Sequence, residues 1–217
     1  MGLLSTECKP GEDELGGLMD AVDLGEEPGT VSVRGTLVKF VSSGGVIHDG
    51  TGTAELLPPF GKQFDRDSFD RGDCIEVTGT VSASYSREYG ALNVEVSGSD
   101  TLENLGSADD SPPEIPDEPD VFFELDYEGW GRDEDETLRL EHVGDEPVVA
   151  ESLELRRIHS GDLSTYHWHE IAGVAPKTEV TEGDAIRFDK PGDGHLVWRY
   201  GDHWARPVSS GWVLENE

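Results

Sequence analysis

The feature that most constrains this chain is an apolar alternation of period two, interrupted by glycines and tight-turn pairs. In "TVSVRGTLVKF", residues 30–40, Val31, Val33 and Leu37 fall on one face and Arg34, Thr36, Val38 and Phe40 on the other, with Gly35 between them. That period belongs to a half-buried strand, and a glycine inside it predicts a bend or bulge. "GGVIHDGTGTAELL" follows as two short strands joined at Asp49-Gly50, a pair that accepts the positive φ of a hairpin turn. "CIEVTGTVSAS" places Ile75, Val77 and Val81 inward with Gly79 at a second bend, and "GALNVEVSGS" adds a strand through Leu92, Val94 and Val96. With 27 glycines and 12 prolines in 217 residues, the chain favours short strands and turns over long helices. The expected fold class is all-β.

Charge and aromatics divide the sequence. Residues 105–120, "LGSADDSPPEIPDEPD", hold four prolines and six acids, no base and no apolar period, which predicts a semi-rigid acidic linker. All five tryptophans lie beyond it, so the two halves have different cores. The expected organisation is an acidic N-terminal segment over 1–27, with a weak helix around Leu15 to Val22, a barrel domain over 28–104, the linker, and a second β domain over 121–217. On the alternative reading, in which the aromatics of the barrel domain are purely structural, Phe60, Phe64 and Phe69 plug the bottom of the barrel.

The formal net charge is −31, yet 35% hydrophobic residues in regular alternation argue for folded domains with a solvated acidic surface. Only five lysines accompany eleven arginines. This composition resembles that of haloarchaeal cytoplasmic proteins, which implies a halophilic, cytoplasmic chain. In molar salt the Debye length is about 3 Å, so net charge there says little about partners. Two cysteines, Cys8 and Cys74, outside any CxxC pair, predict reduced thiols, with Cys74 acting as a small buried apolar residue. No basic leader and no run of membrane-spanning length is visible, so no membrane partner is expected.

Five strands with glycine bends in the first and fourth describe an OB-fold barrel. "VSVRGTLVKF", "GGVIHDGTGTAEL" and "RGDCIEVTGTV" resemble the OB-fold family of the tRNA-anticodon-binding type, over roughly a third of the chain. The resemblance implies single-stranded nucleic acid, DNA or RNA, as the ligand. On the open side of such a barrel the candidate contacts are Arg34, Lys39, Phe40 and His48, joined by Tyr85, Arg87 and Tyr89 from the loop "SYSREYG" between strands four and five. An arginine between two tyrosines offers a cation and two π faces, suited to base stacking worth about 1–3 kcal/mol per base. The same residues also read as barrel closure and hairpin decoration, and no obvious aromatic pair marks the hairpin itself.

The C-terminal half shows about seven short strands separated by turn residues, the count of an immunoglobulin-like sandwich. "ETLRLEHVGDEPVVAESLELR", "VTEGDAIRF" and "HLVWRYG" resemble the C-terminal β domain of haloarchaeal type IV pilins, without the hydrophobic pilin helix. This implies an interaction domain that contacts protein.

"YHWHE" puts His167 and His169 on one face of a strand, a weak candidate for a metal pair that His159, Glu170 or His203 would have to complete. Surface packing explains the pair more simply. No nucleophile elbow, phosphate loop, zincin helix or paired carboxylate is present, so neither catalysis nor a cofactor is expected. The expectation is a non-enzymatic binding protein, its barrel holding single-stranded nucleic acid and its sandwich a protein. The rival expectation is a protein-interaction adaptor of a surface- or envelope-associated complex, with no nucleic-acid ligand.

Overall fold

The computed structural model describes residues 8–41, 44–57, 68–96, 102–108, 119–128, 137–159, 162–189, 193–200 and 204–207. The fold is all-β in two compact units, with three short α-helices among the described residues. None of these helices is long and apolar enough to cross a membrane.

The first unit begins with helix α1 (Leu15–Asp23) and continues through strands β1 (Thr30–Phe40), β2 (Gly45–His48), β3 (Thr53–Leu57) and β4 (Asp73–Val81). Helix α2 (Ala83–Tyr89), β5 (Leu92–Glu95) and β6 (Leu102–Ser107) complete it. Pairing runs β1-β2-β3-β5-β4 and closes through β1 and β4, a five-stranded mixed barrel compatible with an OB-like fold. Only β3 and β5 are parallel among these barrel pairs. β6 extends the sheet along β4, so pairing crosses residue 104 into the stretch expected to be linker.

The barrel core follows the alternation closely, with Val31, Val33, Leu37, Ile75, Val77, Val81, Leu92 and Val94 all inside. Phe40 is the exception. A register shift between Leu37 and Lys39 inverts the phase of β1, so Phe40 packs against the core that holds Val31 and Leu37 instead of facing away from it. Gly35 itself serves close approach: a Cβ there would sit 2.8 Å from the His48 carbonyl oxygen. Gly79 does the same against β5, where an added Cβ would meet the Glu95 oxygen at 2.6 Å.

Residues 15–22 belong to this core. Leu15, Leu18, Met19 and Val22 recur at helical spacing and form the apolar stripe of α1 packed on the barrel interior. Each fully buried aliphatic side chain of this kind contributes about 1.5–3 kcal/mol. Phe69 is half-buried against the same core, whereas Phe60 and Phe64 lie outside the described residues.

The second unit holds β7 (Phe123–Glu128), β8 (Thr137–His142), β9 (Val148–Val149), β10 (Leu153–His159), β11 (Asp162–His167), helix α3 (Trp168–Ala172), β12 (Glu179–Val180), β13 (Ala185–Asp189), β14 (Asp193–Tyr200) and β15 (Trp204–Pro207). They form a sheet β11-β10-β14-β15, a sheet β13-β8-β7 and a two-stranded ladder β12-β9. Leu138 and Leu140 of β8, Leu153 and Leu155 of β10, and Trp168 of α3 are buried. Arg157 of β10 lies over Tyr166 of β11 and also over Phe188 of β13, a contact between the two larger sheets.

Candidate functional site

The hairpin turn 48–52 is the most heavily bonded loop described in the barrel. Asp49 Oδ1 accepts from the Thr51 amide at 2.8 Å, the Thr51 hydroxyl at 2.7 Å and the Gly52 amide at 2.9 Å. Gly50 takes φ +92°, a conformation that favours glycine. The second carboxylate oxygen, Oδ2, accepts from the Leu15 amide at 2.8 Å, and Thr51 Oγ1 accepts from the Gly16 amide at 3.0 Å. Two of the unpaired amides at the start of α1 are thereby capped from the β2–β3 turn, 34 and 35 residues away. Gly16 and Gly52 permit the approach, since a Cβ on either would stand 2.6–2.7 Å from backbone of the other element. The Asp-Gly-Thr-Gly run holds the chain's own helix.

The seven residues selected as nucleic-acid contacts lie on β1, on β2 and on the segment 83–89. Arg34 pairs with Glu76, its register partner on β4, at 2.5 Å. Phe40 contributes to the core. Lys39 stands opposite Val46 just past the register shift. His48 ends β2, and its Nδ1 accepts from the Gly50 amide at 3.1 Å.

Tyr85, Arg87 and Tyr89 lie on helix α2, where a loop was expected. Nothing local signals this helix, since "ASYSREY" has no apolar period. The Ser82 carbonyl starts it by accepting from the Ser86 amide at 2.8 Å, and buried Ser86 accepts from the Asn93 amide through Oγ at 2.9 Å. A helical turn of about 100° per residue puts Arg87 about 200° round from Tyr85, so cation and ring do not share a face. Arg87 instead lies over Gly25 at the C-terminal end of α1, where a Cβ would be 3.7 Å from Nη1. A cation is favoured there by the partial negative charge of a helix C-terminus. Tyr85 is 44% exposed.

The side of β2 and β3 that faces away from the core is covered. Val46, Thr53 and Glu55 are each no more than 6% exposed, although Val46 and Glu55 are register partners directed away from Ile47, Ala54 and Leu56.

Cys8 and Cys74 form a disulfide, which corrects the expectation of reduced thiols. Their separation of 66 residues hid the contact, because cysteine spacing reports motifs and not spatial neighbours.

In the second unit the densest charge lies on β10 and β14. Glu154 accepts from Arg199 through two bonds, Nε at 2.8 Å and Nη2 at 3.0 Å, and from Arg156 Nη1 at 2.9 Å. Glu154 and Arg156 are both buried. Burial pushes the Glu154 carboxyl up, but the Arg199 and Arg156 charges and hydrogen bonds outweigh it and hold the group below its ordinary value. On the other sheet Arg139 hydrogen-bonds Glu141 and likewise lowers its carboxyl. "ESLELRRI" has the pattern of a half-exposed strand, so the buried cluster had no signal beyond charges alternating with leucines.

His167 and His169 do not share a strand face. β11 ends at His167, whose amide donates to Glu170 Oε2 at 3.3 Å as α3 begins, and His169 belongs to that helix. Their rings stack at 5.4 Å with planes 30° apart. Among the described residues no group of three or more His, Cys, Asp or Glu is arranged to hold a metal. The side chains of His159 and His203 lie outside the described residues.

Fold and site together define an all-β chain of two units, one an OB-like barrel plugged by its own N-terminal helix. No protein-family model, no curated protein and no solved structure matches the chain.

Proposed function

We propose that the chain is a non-catalytic protein-interaction adaptor, its barrel serving as a docking body. The observation that carries this reading is the covered outer side of β2 and β3 at Val46, Thr53 and Glu55, the surface an OB-like barrel would offer to a single strand. Phe40 packed against the core and Arg34 in an ion pair support it, since each already has a partner within the barrel. The disulfide favours an oxidising compartment over a reducing cytoplasm, which suits a surface- or envelope-associated complex. Phe122, 60% exposed, offers a probe position on the β-rich second unit.

A second reading, single-stranded nucleic-acid binding, keeps one observation in its favour: Tyr85 stands exposed on α2 and could receive a stacked base. The two are separated by photo-crosslinking from Phe122 and Tyr85 in cells, with anisotropy of a labelled single-stranded oligonucleotide titrated with the full chain at about 2 M salt. A discrete, nuclease-resistant protein adduct with no saturable oligonucleotide binding is expected. Saturable binding that disappears in Tyr85→Ala would replace the adaptor reading with the nucleic-acid one.

A further inference from the structure

β2 ends at His48, opposite Thr36, and therefore leaves the first part of β1 without a β2 partner. Residues 11–13 occupy that edge. The Asp13 amide donates to the Ser32 carbonyl at 3.2 Å, and the Ser32 amide donates to Asp13 Oδ2 at 2.8 Å. Gly11 lies so close that a Cβ would fall 2.9 Å from both the Arg34 nitrogen and the Ser32 oxygen. Immediately before this contact the chain is tied to β4 by the Cys8–Cys74 bond.

Beyond this strap the chain is anchored independently. α1 is held by Asp49, Thr51 and the burial of Leu15 and Val22, and β4 is held by β1 and β6. Breaking the disulfide thus leaves helix and barrel their own supports and removes the covalent hold on residues 8–14 alone.

We propose that residues 8–14 form a redox-latched strap over the β1 edge. A dithiol reductant releases it, and the freed edge at Ser32–Arg34 then takes a Gly-x-Asp segment of a partner protein, bent as the resident one is. The resident sequence Gly11-Glu12-Asp13 defines that chemistry: no side chain where β1 backbone is closest, and a carboxylate two positions on to accept from the Ser32 amide. In the release step a thiolate of the reductant attacks Cys8, which is less buried than Cys74, and Cys74 leaves as a thiolate and is protonated. The reductant's second thiol then displaces Cys8, so two cysteine thiols and one oxidised dithiol result. The partner class rests on the adaptor reading, but the latch does not.

The test uses the full chain, oxidised, reduced by a dithiol, and as Cys8→Ser. Amide exchange at Ser32 is expected to quicken on the order of 10–100-fold on reduction and in Cys8→Ser, as the tether's effective concentration is lost, while the Leu15 amide stays protected. Unchanged Ser32 exchange, or loss of Leu15 protection together with that of Ser32, overturns the latch and makes the bond a structural staple.

The partner class is tested separately with a labelled peptide matching residues 8–14, serine replacing the cysteine. It should bind saturably to Cys8→Ser/Gly11→Val, whose own strap cannot seat, and not to the oxidised native chain. Absence of binding to that variant, with its Leu15 amide protected, overturns the Gly-x-Asp partner. Because amide exchange needs no partner, failure of the latch and failure of the adaptor reading give different results.

Discussion

Asp49 caps Leu15: a carboxylate in the β2–β3 turn accepts the amide of the first residue of α1 at 2.8 Å while its other oxygen holds the turn together. One buried side chain therefore joins hairpin geometry to helix docking. Replacing a capping Asp by Ala costs about 0.5–2 kcal/mol, and the amides left unsatisfied in a buried setting add about 1–3 kcal/mol. Asp49→Ala should lower unfolding free energy by roughly 2–4 kcal/mol and unprotect the Leu15 amide to exchange. Asp49→Asn, which keeps an acceptor oxygen, should lose less. A Leu15 amide that stays protected in Asp49→Ala would mean that the carboxylate does not act as the cap.

The capping contact needs two backbones in near touch, and both are glycine. A Cβ on Gly16 would stand 2.6 Å from the Thr51 carbonyl oxygen, and one on Gly52 would stand 2.7 Å from the Gly16 nitrogen. Gly16→Ala should therefore destabilise by about 1–3 kcal/mol, despite alanine's better helix propensity. Gly17, one position on and with nothing within 4 Å of an added Cβ, is the control: Gly17→Ala should stabilise by up to about 1 kcal/mol. If the two variants melt alike, the close approach is not limiting.

The barrel was legible in the sequence because its strands keep strict alternation: Ile75, Val77 and Val81 point inward as their spacing requires. Phe40 escaped because one extra residue in β1 inverts every later position, and nothing in "TLVKF" marks where that shift falls. The Asp-Gly-Thr-Gly turn was recognisable as a turn, but its helix partner lies 34 residues earlier, and such pairing leaves no local trace. The disulfide and the Glu154 cluster were invisible for the same reason, since each depends on which strands become neighbours. α2 has weak local propensity and forms where Ser82 and the buried Ser86 tie it to β5.

His142 presents a buried polar group with little to do. It ends β8 fully buried, its ring is edge-on to Phe123 at 5.0 Å, and neither ring nitrogen has a hydrogen-bond partner among the described residues. Its backbone is independently fixed, with its amide donating to the Asp184 carbonyl and its carbonyl accepting from the Gly183 amide. An unsatisfied buried polar atom costs about 1–3 kcal/mol, and an apolar replacement of similar shape removes that cost. His142→Leu should leave stability unchanged or raise it by up to about 2 kcal/mol in urea titrations. A loss above about 1 kcal/mol would overturn the reading of His142 as an unsatisfied group.

Glu154 gives the second unit a defined acid response. Its carboxyl is held below the ordinary 4.5 because Arg199 and Arg156 outweigh the cost of burial. A depressed folded value means that the ionised group stabilises the fold fully above the unfolded value. That contribution begins to fall as pH drops past about 4.5 and is gone below the folded value. Glu154→Gln strands two guanidinium groups, one of them buried, and should cost about 3–5 kcal/mol at neutral pH, the usual penalty for breaking a buried pair. The gap between native and variant stability should then narrow as pH is lowered from about 6 through the 4.5 region, since protonation does to Glu154 what the substitution has already done. Unfolding free energies of both chains across that range provide the check, and a gap independent of pH would remove Glu154 as the source of the acid response. Glu141, also lowered but in reach of solvent, is the control: Glu141→Gln should shift neutral-pH stability far less, because solvent screens its arginines.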